Sequence, residues 1–337
     1  MKVNELLKQL NSSTIAPVYL VIGDEEFQTQ KIRNAFLNLI PQEERQFNVG
    51  QYDMEEVSLS TALDDALSVP FFGEKRLVMV NNPFFLTADN KKTKVEHDLN
   101  GLIQYINDPQ QSSILVIFAT YEKLDERKKI VKELKNNAVV IDNQKLSEKD
   151  VKLTILKTLE NEQFKIEDRA LESLLEKTNS NLTLSMKELT KLKIAANQTK
   201  LITFNQVQQL VPVSLEQNVF DLVDLVMKHQ VSQALQMYHE LIQQKEEPLK
   251  INAILLGQFR LLLQVKILRN NGYAQGNIAS MLKVHPYRVK LAMRKVNQFQ
   301  LLDLKSAYLG LVDNEQKMKS TNQDPELLFQ LFLLKIK

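Results

Sequence analysis

The chain has 337 residues, 44% of them hydrophobic and 25% charged, with a formal net charge of +2 and no cysteine. That length exceeds what one ordinary domain needs, so two or three are expected. The lack of cysteine excludes disulfides, thiolate metal sites and a cysteine nucleophile. The longest uninterrupted apolar runs, such as Ile114–Ala119, fall far short of the roughly 18 residues of a membrane span. The opening MKVNELLKQLNSS reads as a short amphipathic helix, not a signal peptide. A cytoplasmic protein with no membrane partner is the expectation.

Along the first 140 or so residues, strand and helix signals alternate. Short β-branched, apolar runs fall at Val18–Ile22, Leu77–Val80, Ile114–Phe118 and Val139–Ile141, with a weaker one at Phe47–Tyr52. Between them Ile32, Phe36, Leu39 and Ile40 share one helical face, and Leu59, Leu63, Ala66 and Leu67 another. Strands separated by helices predict parallel pairing through right-handed crossovers, hence an α/β sheet covered on both faces. After Asp142 the strand signals stop. Ser147 with Asp150 three residues on resembles a helix start, and residues 147–210 read as a small three- or four-helix unit. Val211–Asn218, with Pro212, reads as a linker. Helical patterns then run to the end, interrupted at Pro248, Gly272, Pro286 and Pro325. The predicted domains are 1–142, α/β; 143–211, small helical; and 212–337, larger helical.

Strand Val18–Ile22 followed by Gly23 and a helix is where a phosphate-binding loop would sit. Such a loop needs two glycines five apart, then Lys and Ser or Thr, so that backbone N–H groups surround the phosphate. The eight glycines, at 23, 50, 73, 101, 257, 272, 276 and 310, include no pair five apart, and none precedes a lysine. No pair is two apart, which removes the dinucleotide fingerprint. Gly23 is followed instead by Asp24, Glu25 and Glu26, which suit a helix N-terminus better than a phosphate. Asn81 and Asn82 end a strand where a nucleotidase would carry Mg²⁺-binding acids. His97, His229, His239 and His285 show no metal-ligand spacing and read as surface or packing residues. No cofactor, metal or catalytic residue is expected.

Three stretches together resemble the delta subunit of bacterial DNA polymerase III holoenzyme: PVYLVIGDEEF at 17–27, DALSVPFFGEKRLVMV at 65–80 and NVFDLVDLV at 218–226. QFRLLLQ at 258–264, VHPYRV at 284–289 and DPEL at 324–327 continue it to the C-terminus. The resemblance implies an AAA+-like module with a decayed nucleotide site in 1–142, a helical lid in 143–211 and a helical collar for oligomerisation in 212–337. It implies a non-ATPase subunit of a DNA-directed DNA polymerase holoenzyme, one that binds a sliding clamp (beta) and opens it. The implied partners are ATPase subunits of tau/gamma type and a delta-prime-type subunit in a hetero-pentamer, with weak or indirect contact to primer–template DNA. Those relatives carry a Ser-Arg-Cys finger, which this chain lacks.

The resemblance places clamp binding on Val69, Pro70, Phe71 and Phe72. The residues themselves agree: Pro70 stops the preceding helix and Gly73 permits a turn into the next strand. Adjacent Phe71 and Phe72 are unsuited to one core, so one or both should stand exposed beside Glu74, Lys75 and Arg76. A competing reading is a helix-turn-helix at 274–296, within an acid-free stretch, Pro248–Leu302. It would present Arg288, Lys290, Arg294 and Lys295 to DNA. In the family this stretch belongs to the collar, where helix pairs pack on neighbouring subunits, and the same four residues are candidates for contact with DNA backbone or a partner. Apolar positions in excess of a small bundle's needs, including Phe259, Leu262, Leu263, Leu327, Leu328, Leu331 and Leu334, favour a collar.

Overall fold

The computed structural model describes residues 1–10, 15–71, 73–88 and 95–336, so Phe72 lies outside the described residues. The chain divides into two compact units, Met1–Leu146 and Ser147–Lys337. In the first, strands β1 (Val18–Ile22), β2 (Val49–Asp53), β3 (Arg76–Asn81), β4 (Ser113–Ala119) and β5 (Val139–Asp142) form one sheet in the order β2-β3-β4-β1-β5. Every pairing is parallel, with Ile22 opposite both Ala119 and Asp142, and Val49 opposite Leu77.

Successive strand residues face opposite ways, and both faces are covered. Val18 and Leu20 pack with Val78, Val80, Leu115 and Ile117 beneath α4 (Leu59–Leu67), α5 (Leu99–Asn107) and α6 (Lys129–Asn137). Tyr19 and Val21 pack with Met79, Val116 and Phe118 beneath α1 (Val3–Leu10) and α2 (Glu26–Leu37). Each such aliphatic or aromatic side chain, fully buried, contributes roughly 1.5–3 kcal/mol. Two details depart from expectation. Phe47 is not in a strand but in the short helix α3 (Arg45–Asn48), and β2 starts only at Val49. Leu67, at the end of α4, is exposed, and Ala62 takes its place on the buried face.

The second unit begins as the sequence predicts, with Ser147 accepting a hydrogen bond from the Asp150 N–H to cap α7 (Glu148–Asn161). It also contains strands the apolar pattern missed. β6 (Lys165–Ile166) and β7 (Leu201–Ile202) form a two-residue parallel ribbon, too short to show alternation. Around it lie α8 (Asp168–Lys177), α9 (Leu182–Ala195) and α10 (Phe204–Leu210). The linker is shorter than predicted, because Ser214 already caps α11 (Leu215–Met227). There follow α12 (Val231–Gln243), α13 (Pro248–Asn270), α14 (Gln275–Leu282), α15 (Pro286–Lys295), α16 (Leu301–Ser320) and α17 (Pro325–Lys335). Pro248, Pro286 and Pro325 each open a helix, where a missing N–H costs nothing.

Contrary to the count of uninterrupted apolar runs, α13 is long and apolar enough to cross a bilayer by length and composition. Its apolar side chains are employed within the unit: Ile251, Leu255, Phe259, Leu262 and Val265 are buried in the helical core. Asn252, also buried, donates from its amide to the Leu311 carbonyl at 3.3 Å.

Candidate functional site

In open α/β sheets, ligands bind outside the carboxyl ends of the strands. Here that end is filled by the protein itself. Gly23 has φ +126°, and a Cβ there would run into the Asn143 carbonyl group. The Gly23 N–H donates to Ala119 O (3.2 Å) and the Glu25 N–H to Asn143 O (3.2 Å), so donors that would face a phosphate are already engaged. The buried Asn143 amide reaches Gly23 O, Glu25 O and Thr29 Oγ1, the last at 2.7 Å. Asp24 pairs with Lys145 at 2.8 Å, and this bond holds the ammonium above its ordinary pKa. The strand-end asparagines are engaged too. Asn81 accepts from Arg33 at 2.7 Å, and Asn82 donates to Asp53 at 2.8 Å. Arg33 also lies over the Phe118 ring, and burial lowers its pKa.

The amino end of the same sheet is the opposite case. α4 stops at Leu67, with Ser68 extended and its hydroxyl donating to Asp64 O at 2.8 Å. Val69 precedes a proline and is kept out of helical geometry. From the end of α4 onward the chain carries an apolar surface: Leu67 is 57% exposed, Val69 70% and Phe71 68%. Gly73, at φ +74°, turns the chain into β3. A Cβ added there would meet the Glu44 carboxylate.

The turn is pinned from beneath. Fully buried Asn48 accepts the Phe71 N–H at 2.9 Å. Arg76, expected at the rim, instead turns inward: its Nε donates to Asp65 at 2.8 Å and another nitrogen to Phe47 O at 3.3 Å. Lys75 donates to Gln111 O at 2.9 Å, so of the expected rim charges only Glu74 stands exposed. Phe47 itself is 46% exposed and stacks on Phe71, with ring centroids 5.6 Å apart and planes 26° apart. Nothing local in the sequence marked Phe47, which reaches Phe71 only because β2 and β3 are neighbours.

The predicted basic cluster is divided. α14, a left-handed Lys283 and α15 do have a helix-turn-helix outline. However, Lys290 pairs with Glu148 at 2.8 Å. Lys295 is only 16% exposed, pairs with Asp224 at 2.7 Å and sits 3.4 Å from the centre of the Phe220 ring. Burial lowers the Lys295 pKa. Arg294 is exposed and Arg288 half-buried. Elsewhere in the acid-free stretch, Lys266 and Arg269 donate to the carbonyls of Val296 and Met293, at the end of α15 where the helix dipole favours cations. On α17, Leu328 is buried while Leu327, Leu331 and Leu334 form an exposed stripe.

Among the described residues, no three His, Asp or Glu side chains come together to hold a metal ion. His285 caps α15 by accepting from the Tyr287 N–H, and His239 pairs with Glu326 at 3.0 Å. His97 accepts the Leu59 N–H at 3.2 Å and packs against Phe84 and Phe85, and its burial lowers its pKa.

A parallel sheet of five strands in the order β2-β3-β4-β1-β5, followed in the chain by a helical unit, is of the AAA+-like fold class. Comparison with known proteins places it further. The family model described as DNA polymerase III, delta subunit matches residues 19–144, and the model for the C-terminal domain of the same family matches 216–336. A model described as a middle domain matches 148–209. A DNA polymerase III subunit delta of Bacillus subtilis is 38% identical over 333 residues, covering 98% of this chain and 96% of the relative. A probable DNA polymerase III subunit delta of Aquifex aeolicus is 26% identical over 286 residues, covering 83% and 80%. The solved structure of a Bacillus subtilis DNA clamp loader delta protein matches with a TM-score of 0.72 and 38% identity, covering 99% of each chain. The chain belongs to the DNA polymerase III delta-subunit family, the clamp-loader subunits of DNA replication.

Proposed function

We propose that this protein binds a sliding clamp through residues 69–72 and opens the ring, while contributing no catalytic site of its own. The observation that carries this is the turn at the amino end of the sheet. It sets large apolar side chains in solvent on a backbone held by buried polar groups. An exposed aromatic on a rigid support is a binding hot spot in form, since little ordering cost remains at binding. Opening follows if the turn fits a distorted clamp edge better than the closed one, because only differential affinity shifts that equilibrium. The filled loop after β1 supports the absence of nucleotide turnover.

In the same reading the second unit comprises a lid, 143–211, and a collar, 212–337. The exposed stripe Leu327, Leu331 and Leu334 meets ATPase subunits of tau/gamma type and a delta-prime-type subunit in a hetero-pentamer. Contact with primer–template DNA rests on Arg288 and Arg294, since Lys290 and Lys295 are held by carboxylates. The protein works in the cytoplasm.

The test is a Phe71→Ala, Phe72→Ala double variant of the full chain. Removing a central aromatic anchor costs about 2–4 kcal/mol, so clamp affinity should fall roughly thirty- to a thousandfold. A folded double variant that binds and opens clamp like wild type would place the wedge elsewhere.

A further inference from the structure

We propose that Phe47 is a positioning residue for the clamp-binding turn, an inference that rests on the reading of residues 69–72 just given. Phe47 lies 24 positions before Phe71 in the sequence, on the short helix that leads into β2, whereas Phe71 precedes β3. Parallel pairing of these neighbouring strands, with Val49 opposite Leu77, brings both approaches to the amino end of the sheet.

Each backbone is then fixed by a buried or half-buried polar group. Asn48, next to Phe47, is fully buried and accepts the Phe71 N–H. One guanidinium, that of Arg76, joins α4 through Asp65 to the Phe47 carbonyl. A fully buried asparagine side chain is costly unless hydrogen-bonded, and the bond Asn48 accepts comes from the exposed turn. What it holds here is the register of two exposed rings, stacked at 5.6 Å.

A phenyl ring alone on a surface samples several rotamers, and binding must select one. Phe47 stacks on the Phe71 ring, restricting its rotamers before the clamp arrives and leaving its exposed surface for an apolar pocket on the ring-shaped partner. The contribution of Phe47 is therefore made through Phe71. Losing it restores about one side chain's ordering cost, equivalent to roughly a three- to tenfold loss of affinity.

The experiment is a double-mutant cycle in the full-length protein, with affinity for the purified sliding clamp of the same organism measured beside the urea unfolding transition. Phe47→Ala is expected to weaken binding about three- to tenfold with little change in stability, and Phe47→Tyr, which keeps the ring, to bind like wild type. In a Phe71→Ala background the same Phe47→Ala change should alter affinity by less than about twofold, because no ring remains to be held. Wild-type affinity of Phe47→Ala, with Phe71→Ala weakened, would overturn the role of Phe47 and leave the clamp-binding turn standing. Equal losses in both backgrounds would make Phe47 a separate contact and overturn positioning. Undiminished binding by the Phe71→Ala, Phe72→Ala protein would remove the clamp reading itself, and this inference with it. Should Phe47→Ala not fold, Phe47→Leu keeps apolar bulk without a planar face and carries the same expectations.

Discussion

The two ends of one parallel sheet are built in opposite ways. At the carboxyl end, Gly23, Glu25 and Asn143 close on one another, and the backbone donors that would face a phosphate are bonded internally. At the amino end the polar groups lie beneath, and the aromatic side chains stand in solvent. The difference teaches that an α/β scaffold does not by itself decide where it binds. The decision lies in which loops keep their hydrogen-bonding capacity for themselves and which leave side chains to a partner.

The largest effect is expected at Gly23. Gly23→Ala imposes a side chain at φ +126° against the Asn143 carbonyl group, combining backbone strain with overpacking. A loss of about 3–5 kcal/mol is expected, read as a lowered urea midpoint. A smaller change tests the plug itself. Asn143→Ala leaves the carbonyls of Gly23 and Glu25 without their amide partner, for about 2–3 kcal/mol. It should not create ATP binding, because Asp24, Glu25 and Glu26 remain and no lysine follows a glycine. Saturable micromolar ATP binding by that variant would show that the plug alone closes the site.

A weaker sensitivity, to pH, lies where α4 starts, at the carboxyl end of the sheet. His97 accepts the N–H that starts α4, the helix leading to the exposed turn, and burial lowers its pKa from the ordinary 6.5. The unfolded chain therefore takes up the proton first. Stability is full above about pH 6.5 and declines as the pH falls from there to the lowered folded-state value. Urea midpoints measured from pH 8 to pH 5 should show this decline, and His97→Gln should flatten it. An identical decline in both proteins would assign it to other groups. Least affected in stability should be the Phe71→Ala, Phe72→Ala protein. Phe71 is mostly exposed, so its part in that change is within about 1 kcal/mol, even as clamp affinity falls steeply. A large stability loss would mean that the turn is part of the core and not a wedge.

Much of this was legible in the sequence because it is local. β-branched runs located the five strands of the sheet to within a residue or two, and glycine spacing argued against a phosphate loop. Ser147 marked a helix start, and the Pro-Phe-Phe-Gly stretch pointed to an exposed aromatic. These signals depend on neighbours along the chain, where backbone preference and side-chain period act directly. Only the tertiary structure decided the rest. The adjacency of β2 and β3 brought Phe47 to Phe71 and put Asn48 under the turn. The pairing of β1 with β5 brought Asn143 onto Gly23. Charges that looked alike in the sequence were separated by burial: Lys295 lies over Phe220 beside Asp224, whereas Arg294 remains in solvent. The ribbon of β6 and β7 is too short to carry a period of its own. In each case the energy of the residue depends on a partner far along the chain, and that dependence is absent from any local pattern.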